Sequence, residues 1–139
     1  NISNYDISST LATSISQRLV RKLCPKCRKE RPFTEEEKAI INKIADKYNV
    51  KFDVDNHTTF DPVGCGYCNN SGFYDRIAVF ETLLVDDDIK ELIVKDASTL
   101  EIRDEALKHG YKPLLVDGIT KVVEGITTLE ELNRKLLFY

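Results

Sequence analysis

CPKC at residues 24–27 and GCGYCNNSGFYDRIAVFE at residues 64–81 hold all four cysteines of the chain. The two-residue spacer lets both thiolates of a pair point at one centre, in a turn whose backbone N–H groups also face the sulfurs. Two such turns complete a tetrahedral shell of four sulfurs. Cys24, Cys27, Cys65 and Cys68 are therefore the predicted ligands of one structural Zn²⁺, with no coordination position left open for catalysis. Pro25 stiffens the first turn, and Gly66 is expected to let the second backbone approach closely. Closing the intervening loop costs about 3 kcal/mol. Structural zinc supplies on the order of 10 to 16 kcal/mol, enough to order it. Iron fits the same tetrahedral sulfur set. Two disulfides in a secreted domain are the alternative, and sequons at Asn1, Asn56 and Asn69 would permit that compartment. A thioredoxin-type redox site needs one such motif at a strand-to-helix junction, not two distant ones.

The run RIAVFETLL from Arg76 to Leu84 is rich in β-branched and aromatic residues and predicts a strand. Before the first cysteine pair, Leu11, Ile15, Leu19, Val20 and Leu23 recur at three- and four-residue steps, which predicts an amphipathic helix over Ser8–Leu23, stopped by Pro25. Thr34 with Glu37 is a capping box opening a second helix, striped by Ala39, Ile40, Ile44, Ala45 and Tyr48 and ended by Asn49. The segment from Val50 to Asn70 is polar and turn-rich, with one short strand expected at Phe52 and Val54. Beyond the long strand the pattern is helical. Asp86 to Asp88 cap a helix carrying Ile89, Leu92 and Ile93, and Ser98 with Glu101 opens another that closes before Gly110. Pro113 suits the first turn of the next, and Thr127 with Glu130 is expected to box the last, which ends in Leu136, Leu137 and Phe138. His109 fits a helix C-terminus, where a partly cationic imidazole is favourable. His57, in the polar loop between the cysteine pairs, reads as solvated. The fold class expected is mainly α with a small β component.

The chain of 139 residues carries a formal net charge of −3, with both signs mixed throughout. That length supports a core without disulfides, and the balance gives no general attraction to nucleic acid or anionic lipid. No stretch reaches the roughly 18 apolar residues needed to span a bilayer, and Asn1–Asp6 lacks the pattern of a secretory signal. The absence of Met throughout predicts a fragment of a longer protein. Locally, Arg18, Arg21, Lys22, Lys26, Arg28, Lys29 and Arg31 face a single Glu30. Lys22, Lys26 and Arg28 are expected to offset the negative thiolates. The same run beside Cys24 supports a second reading, a zinc-ribbon nucleic-acid binder, although it has no interleaved aromatics.

QRLVRKLCPKC (residues 17–27) and GCGYCNNSGFYDRIAVFE together resemble the four-cysteine segment of the ATPases that drive type IV pilus assembly and type II secretion, the PilB and GspE proteins. The likeness continues through VDDDIKELI and through Gly110, Leu114, Asp117, Gly118, Lys121, Gly125, Thr128, Glu131 and Arg134. Two positions depart from the family pattern: Asp75 stands where Gly is usual, and Tyr111 replaces the usual Met after Gly110. The Asp puts in doubt any positive φ at that place.

The resemblance implies a hexameric motor, cytoplasmic and peripheral at the inner face of the cell membrane, working with other copies of itself and with an inner-membrane platform protein. It implies four segments: residues 1–23 as a helix from the end of a RecA-like core, 24–68 as the metal-binding module, 69–85 as a returning strand, and 86–139 as a helical C-terminal subdomain. ATP and Mg²⁺ would belong to the parent protein alone, because the chain has no Gly-x-x-x-x-Gly-Lys-Ser/Thr phosphate loop. Arg18, Arg21 and Arg76 are the candidates for contacts across a subunit interface. The fragment itself is expected to serve structure and interaction, its metal module touching a neighbouring subunit or the platform protein, with no catalytic residue.

Overall fold

The computed structural model describes residues 2–138. Its elements are α1 (Asn4–Thr10), β1 (Thr13–Leu23), β2 (Lys29–Pro32), α2 (Glu35–Tyr48), β3 (Thr58–Asp61), β4 (Phe73–Leu84), α3 (Asp87–Val94), α4 (Thr99–Lys108), α5 (Leu114–Val123) and α6 (Leu129–Leu136). Helices predominate and the β component is small, as expected. β1 pairs with β4, and β2 pairs antiparallel with β3, Lys29 opposite Asp61 and Pro32 opposite Thr58.

The chain divides into two compact units, residues 1–16 with 80–113 and residues 17–79 with 114–139. In the first, Val85, Ile89 of α3 and Ala106 of α4 form a small core, against which Leu83, Leu92, Ile102 and Tyr111 pack. Tyr111 is thus a core substitution. In the second, Val20 of β1, Val79 of β4, Ile41 and Ile44 of α2, Ile119 and Val122 of α5, and Leu129 and Leu132 of α6 meet in one apolar cluster. Each such side chain contributes about 1.5 to 3 kcal/mol by leaving water. The four helices after Asp86 are therefore shared, α3 and α4 with the first core and α5 and α6 with the second.

The helix starts follow their caps. Thr34 and Ser98 each form the expected reciprocal box with Glu37 and Glu101, and Asp86 accepts from the Ile89 N–H. Asn49 ends α2 in the left-handed conformation. Pro113 stands immediately before α5.

Three expectations are corrected. The helix over Ser8–Leu23 is instead the short α1 followed by the eleven-residue strand β1. Ile15, Leu19 and Leu23 recur at steps of four, a spacing that fits a strand of period two as well as a helix of period 3.6, and pairing with β4 selects the strand. The short strand expected at Phe52 and Val54 falls at Thr58–Asp61. Phe52 and Val54 pack into the second core as irregular chain, where Asp53 accepts from the Asn56 N–H and closes a turn. The last capping box is one residue late: Thr128, not Thr127, caps α6 by accepting from the Glu131 N–H at 3.1 Å. Thr127 is fully buried and donates to the Arg21 carbonyl at 2.8 Å. At the C-terminal end Leu137 is exposed, Phe138 packs on the second core and Tyr139 lies outside the described residues.

Candidate metal centre

The first cysteine turn hangs from the end of β1. The Leu23 N–H donates to the Ile126 carbonyl at 2.8 Å and the Cys24 N–H to the Gly72 carbonyl at 2.9 Å. Pro25 then turns the chain, and the Arg28 N–H closes it on the Cys24 carbonyl at 3.1 Å. The second turn is one 3₁₀ turn, Gly66–Cys68, followed by Asn69 and Asn70, both left-handed. Asn tolerates that conformation better than most residues, and the Asn70 N–H returns to the Cys65 carbonyl at 2.9 Å.

These turns bring together the four predicted ligands, with no His joining them among the described residues. The Sγ atoms of Cys24 and Cys65 lie 3.9 Å apart, those of Cys27 and Cys68 3.8 Å, and those of Cys65 and Cys68 3.8 Å. All four sulfurs fall within 4.8 Å of one another. A disulfide needs a separation of about 2.05 Å, so these are four free thiols. Metal–sulfur bonds of about 2.3 Å directed to a tetrahedron give sulfur–sulfur edges of about 3.8 Å. Three of the six edges match that spacing and the rest lie within 4.8 Å, so the cluster can hold one metal ion. Cys24 and Cys68 are buried, and Cys27 and Cys65 are half-buried.

Thiolate charge is met by backbone amides. The Gly64 N–H donates to Cys27 Sγ at 3.2 Å, and the Cys65 and Gly72 N–H groups donate to Cys68 Sγ at 3.2 and 3.3 Å. Burial works against ionisation at Cys68, but its two amide donors, together with hydrogen bonds from the Cys27 and Cys65 side chains, bring the thiol down to about 6. At Cys27 burial, joined by the neighbouring Cys24, Cys68 and Cys65 thiols, prevails over the single Gly64 donor and pushes the thiol up to about 12. The close backbone approach expected at Gly66 belongs to its neighbours: a Cβ at Gly66 would meet nothing within 4 Å, whereas at Gly64 it would lie 2.7 Å from the Asn70 oxygen and at Gly72 2.5 Å from Pro62 Cβ. Both of those glycines have positive φ.

The basic side chains expected to offset the sulfurs make other contacts. Lys22 lies 3.8 Å from Asp75, the Lys26 ammonium sits over the Tyr67 ring, and Arg28 donates to the Gly125 carbonyl at 2.7 Å while stacking on Phe60. Among the interface candidates, Arg18 and Arg76 are exposed on β1 and β4. Arg21 is bound within its own chain: its Nε and terminal nitrogen donate to Glu131 Oε2 at 3.0 and 2.7 Å, and its guanidinium covers Phe73. His57 lies 2.7 Å from the Asp53 carbonyl and is not among the clustered ligands.

Two polar clusters were not foreseen as clusters. Glu131, buried in the second unit, also receives Arg134 at 2.8 and 2.9 Å and the Arg21 backbone N–H at 3.1 Å. The shifted cap of α6 was the missing signal. In the first unit His109 meets Asp86 at 2.5 Å through Nδ1, and Asp88 and Glu105 at 3.4 and 3.3 Å through Nε2. The sequence presents those groups only as separate helix ends.

The family described as type II/IV secretion system protein matches residues 1–134. The type IV pilus assembly ATPase PilB of Myxococcus xanthus is 34% identical over 131 residues, covering 94% of this chain and 22% of that protein. The type II secretion system protein E of Aeromonas hydrophila is 36% identical over 135 residues, covering 96% and 25%. PilB of Thermus thermophilus is 36% identical over 128 residues, covering 91% and 14%. The chain thus spans a quarter or less of the length of these relatives.

Proposed function

The chain belongs to the type II/IV secretion system protein family, and from that premise we propose that it is part of the C-terminal region of a hexameric ATPase motor powering type IV pilus assembly or type II secretion, with one structural Zn²⁺ held by Cys24, Cys27, Cys65 and Cys68. The observation that carries the metal assignment is the sulfur spacing of 3.8 to 3.9 Å. When bound, the ion neutralises thiolate charge and cross-links two turns some forty residues apart. The chain's own part is to pre-aim the sulfurs through the amides of Gly64, Cys65 and Gly72.

In this reading residues 1–23, with β1 in place of a helix, close a RecA-like core. Residues 24–68 form the metal module, 69–85 return to the core as a strand, and 86–139 supply helices. The fragment binds no nucleotide itself, having no phosphate loop, and ATP with Mg²⁺ sits elsewhere in the parent. The parent works in the cytoplasm at the inner face of the membrane, against neighbouring copies and a membrane platform protein. Among the described residues no helix is long and apolar enough to cross a membrane.

Elemental analysis of the protein purified under reducing conditions tests the metal. One zinc per chain is expected, lost on Cys68→Ser; iron would revise the ion, and a metal-free chain with its fold intact would end the assignment. Arg18→Ala and Arg76→Ala in the full-length parent test the interface role. Reduced stimulated ATP turnover is expected, whereas unchanged turnover and hexamer yield would remove these residues from it. Arg21→Ala carries less weight there, since it also strips Glu131 of a partner.

A further inference from the structure

The basic run from Arg18 to Arg31 divides once folded, and Arg18 stays exposed on β1. Arg21, Arg28 and Arg31 turn to partners in their own chain: Glu131, the Gly125 carbonyl, and Glu37 with Asp61. Lys22 and Lys26 stay outward. Tyr67, under Lys26, and Tyr74, which precedes the Lys22 partner Asp75, pack ring to ring, centroids 4.3 Å apart, yet remain 48% and 46% exposed. The Lys26 ammonium lies 6.0 Å above the Tyr67 ring, at the limit of a cation–π contact. Lys22 is held only by the exposed, 3.8 Å pair with Asp75, which binds it weakly.

We propose that the face made by Lys22, Lys26, Tyr67 and Tyr74 is a docking surface for an acidic segment of a partner polypeptide. The inference rests on reading the cysteine module as an interaction element. Tyr67 sits inside the Cys65–Cys68 turn, and Tyr74 follows Gly72, whose N–H and carbonyl engage Cys68 and Cys24. Both rings are thus attached to backbone fixed by the cysteine cluster, so little ordering remains to be done on binding. Half-exposed tyrosines held in place are the residues that anchor interfaces. Ammonium groups select carboxylates as counterparts.

A nucleic acid fits less well. The two rings pack on each other, so no base enters between them, and the chain as a whole is negative. A long polyanion senses that net charge, while a short acidic segment senses chiefly the lysines within a screening length of about 8 Å.

The test is fluorescence anisotropy of the zinc-loaded chain with a fluorescein-labelled peptide of alternating Glu and Leu. A Lys-Leu peptide, a single-stranded oligonucleotide and phosphatidylglycerol vesicles are run beside it. Binding of the Glu-Leu peptide is expected to weaken as salt rises, and to fall about tenfold both in Lys22→Glu/Lys26→Glu and in Tyr67→Ala/Tyr74→Ala. Metal content and circular dichroism should stay unchanged in both variants, which separates this outcome from failure of the metal assignment. Equal binding of the Lys-Leu peptide, insensitivity to both double variants, or preference for oligonucleotide or vesicles overturns the proposal.

Discussion

Asp75 sits inside β4 with φ of 72°, in the left-handed region that suits glycine. The family's usual Gly at this place marks a backbone requirement, and the chain meets it with Asp. Asp75 Oδ1 accepts from the next N–H, that of Arg76, at 2.7 Å, a local bond that makes the conformation tolerable. Asp75→Gly should therefore raise stability by about 0.5 to 1 kcal/mol and Asp75→Val lower it by about 1 to 2 kcal/mol. Urea unfolding reads both, and a Gly variant less stable than the parent would show that the side-chain bond outweighs the backbone strain. Gly118 is a packing requirement of a different kind. An added Cβ would fall 2.4 Å from Leu132 Cδ1, inside the second core, so Gly118→Ala should cost about 1 to 3 kcal/mol by the same measurement. At this scale sequence shows which residue is unusual and leaves open what it touches.

At the scale of elements, α6 is fastened by the carboxylate that its cap positions. Burial alone would raise the Glu131 pKa, yet bonds from Arg134 and Arg21 hold it near 2 against the usual 4.5. Its contribution is complete above pH 4.5 and is lost as pH falls from there toward 2. The shift corresponds to about 3 kcal/mol at neutral pH, reduced to about 2 because both guanidinium groups are partly solvated. Glu131→Gln should remove most of the acid sensitivity in that window, and a variant that loses stability equally at all pH values would refute the charge mechanism. His109 acts in the opposite sense. Asp86 chiefly raises its pKa above 6.5, burial opposes this, and Asp88 and Glu105 add to the rise, while Lys108 pairs with Glu105. Its link between α3 and α4 is full below pH 6.5 and weakens as pH climbs through the raised value. Proton exchange at Ile89 and Ala106 should accelerate over that range in the parent and not in His109→Gln.

Across the whole molecule, what was legible divides by cause. The starts of α2, α3 and α4 were readable because capping is a local matter of a few neighbouring side chains and amides, whereas the Ser3 cap of α1 was missed and the double Thr and double Glu at 127–131 offered two frames. β1 was not readable because its apolar spacing serves two periods and its partner lies some sixty residues away. The sulfur cluster was legible in full, since the chemistry of four cysteines admits few geometries. Its amide donors were not, because composition points to lysines and the fold supplies peptide N–H groups. Chelation should accordingly raise hydrogen exchange first at Cys24, Gly64 and Gly72, with Ile89 and Ala106 unaffected; a uniform rise across the chain would place the metal's influence elsewhere.

The division of segments also sets an order of events during synthesis. The first unit is complete once residue 113 has left the ribosome, whereas the second still lacks α5 and α6. Until those helices are translated, Leu23 has no Ile126 carbonyl to bind and Arg21 has no Glu131, although the cysteine turns beside them have already emerged. A nascent chain therefore carries its four thiols on an unfinished scaffold, and slow codons just after residue 113 should lengthen the interval in which those thiols can be oxidised.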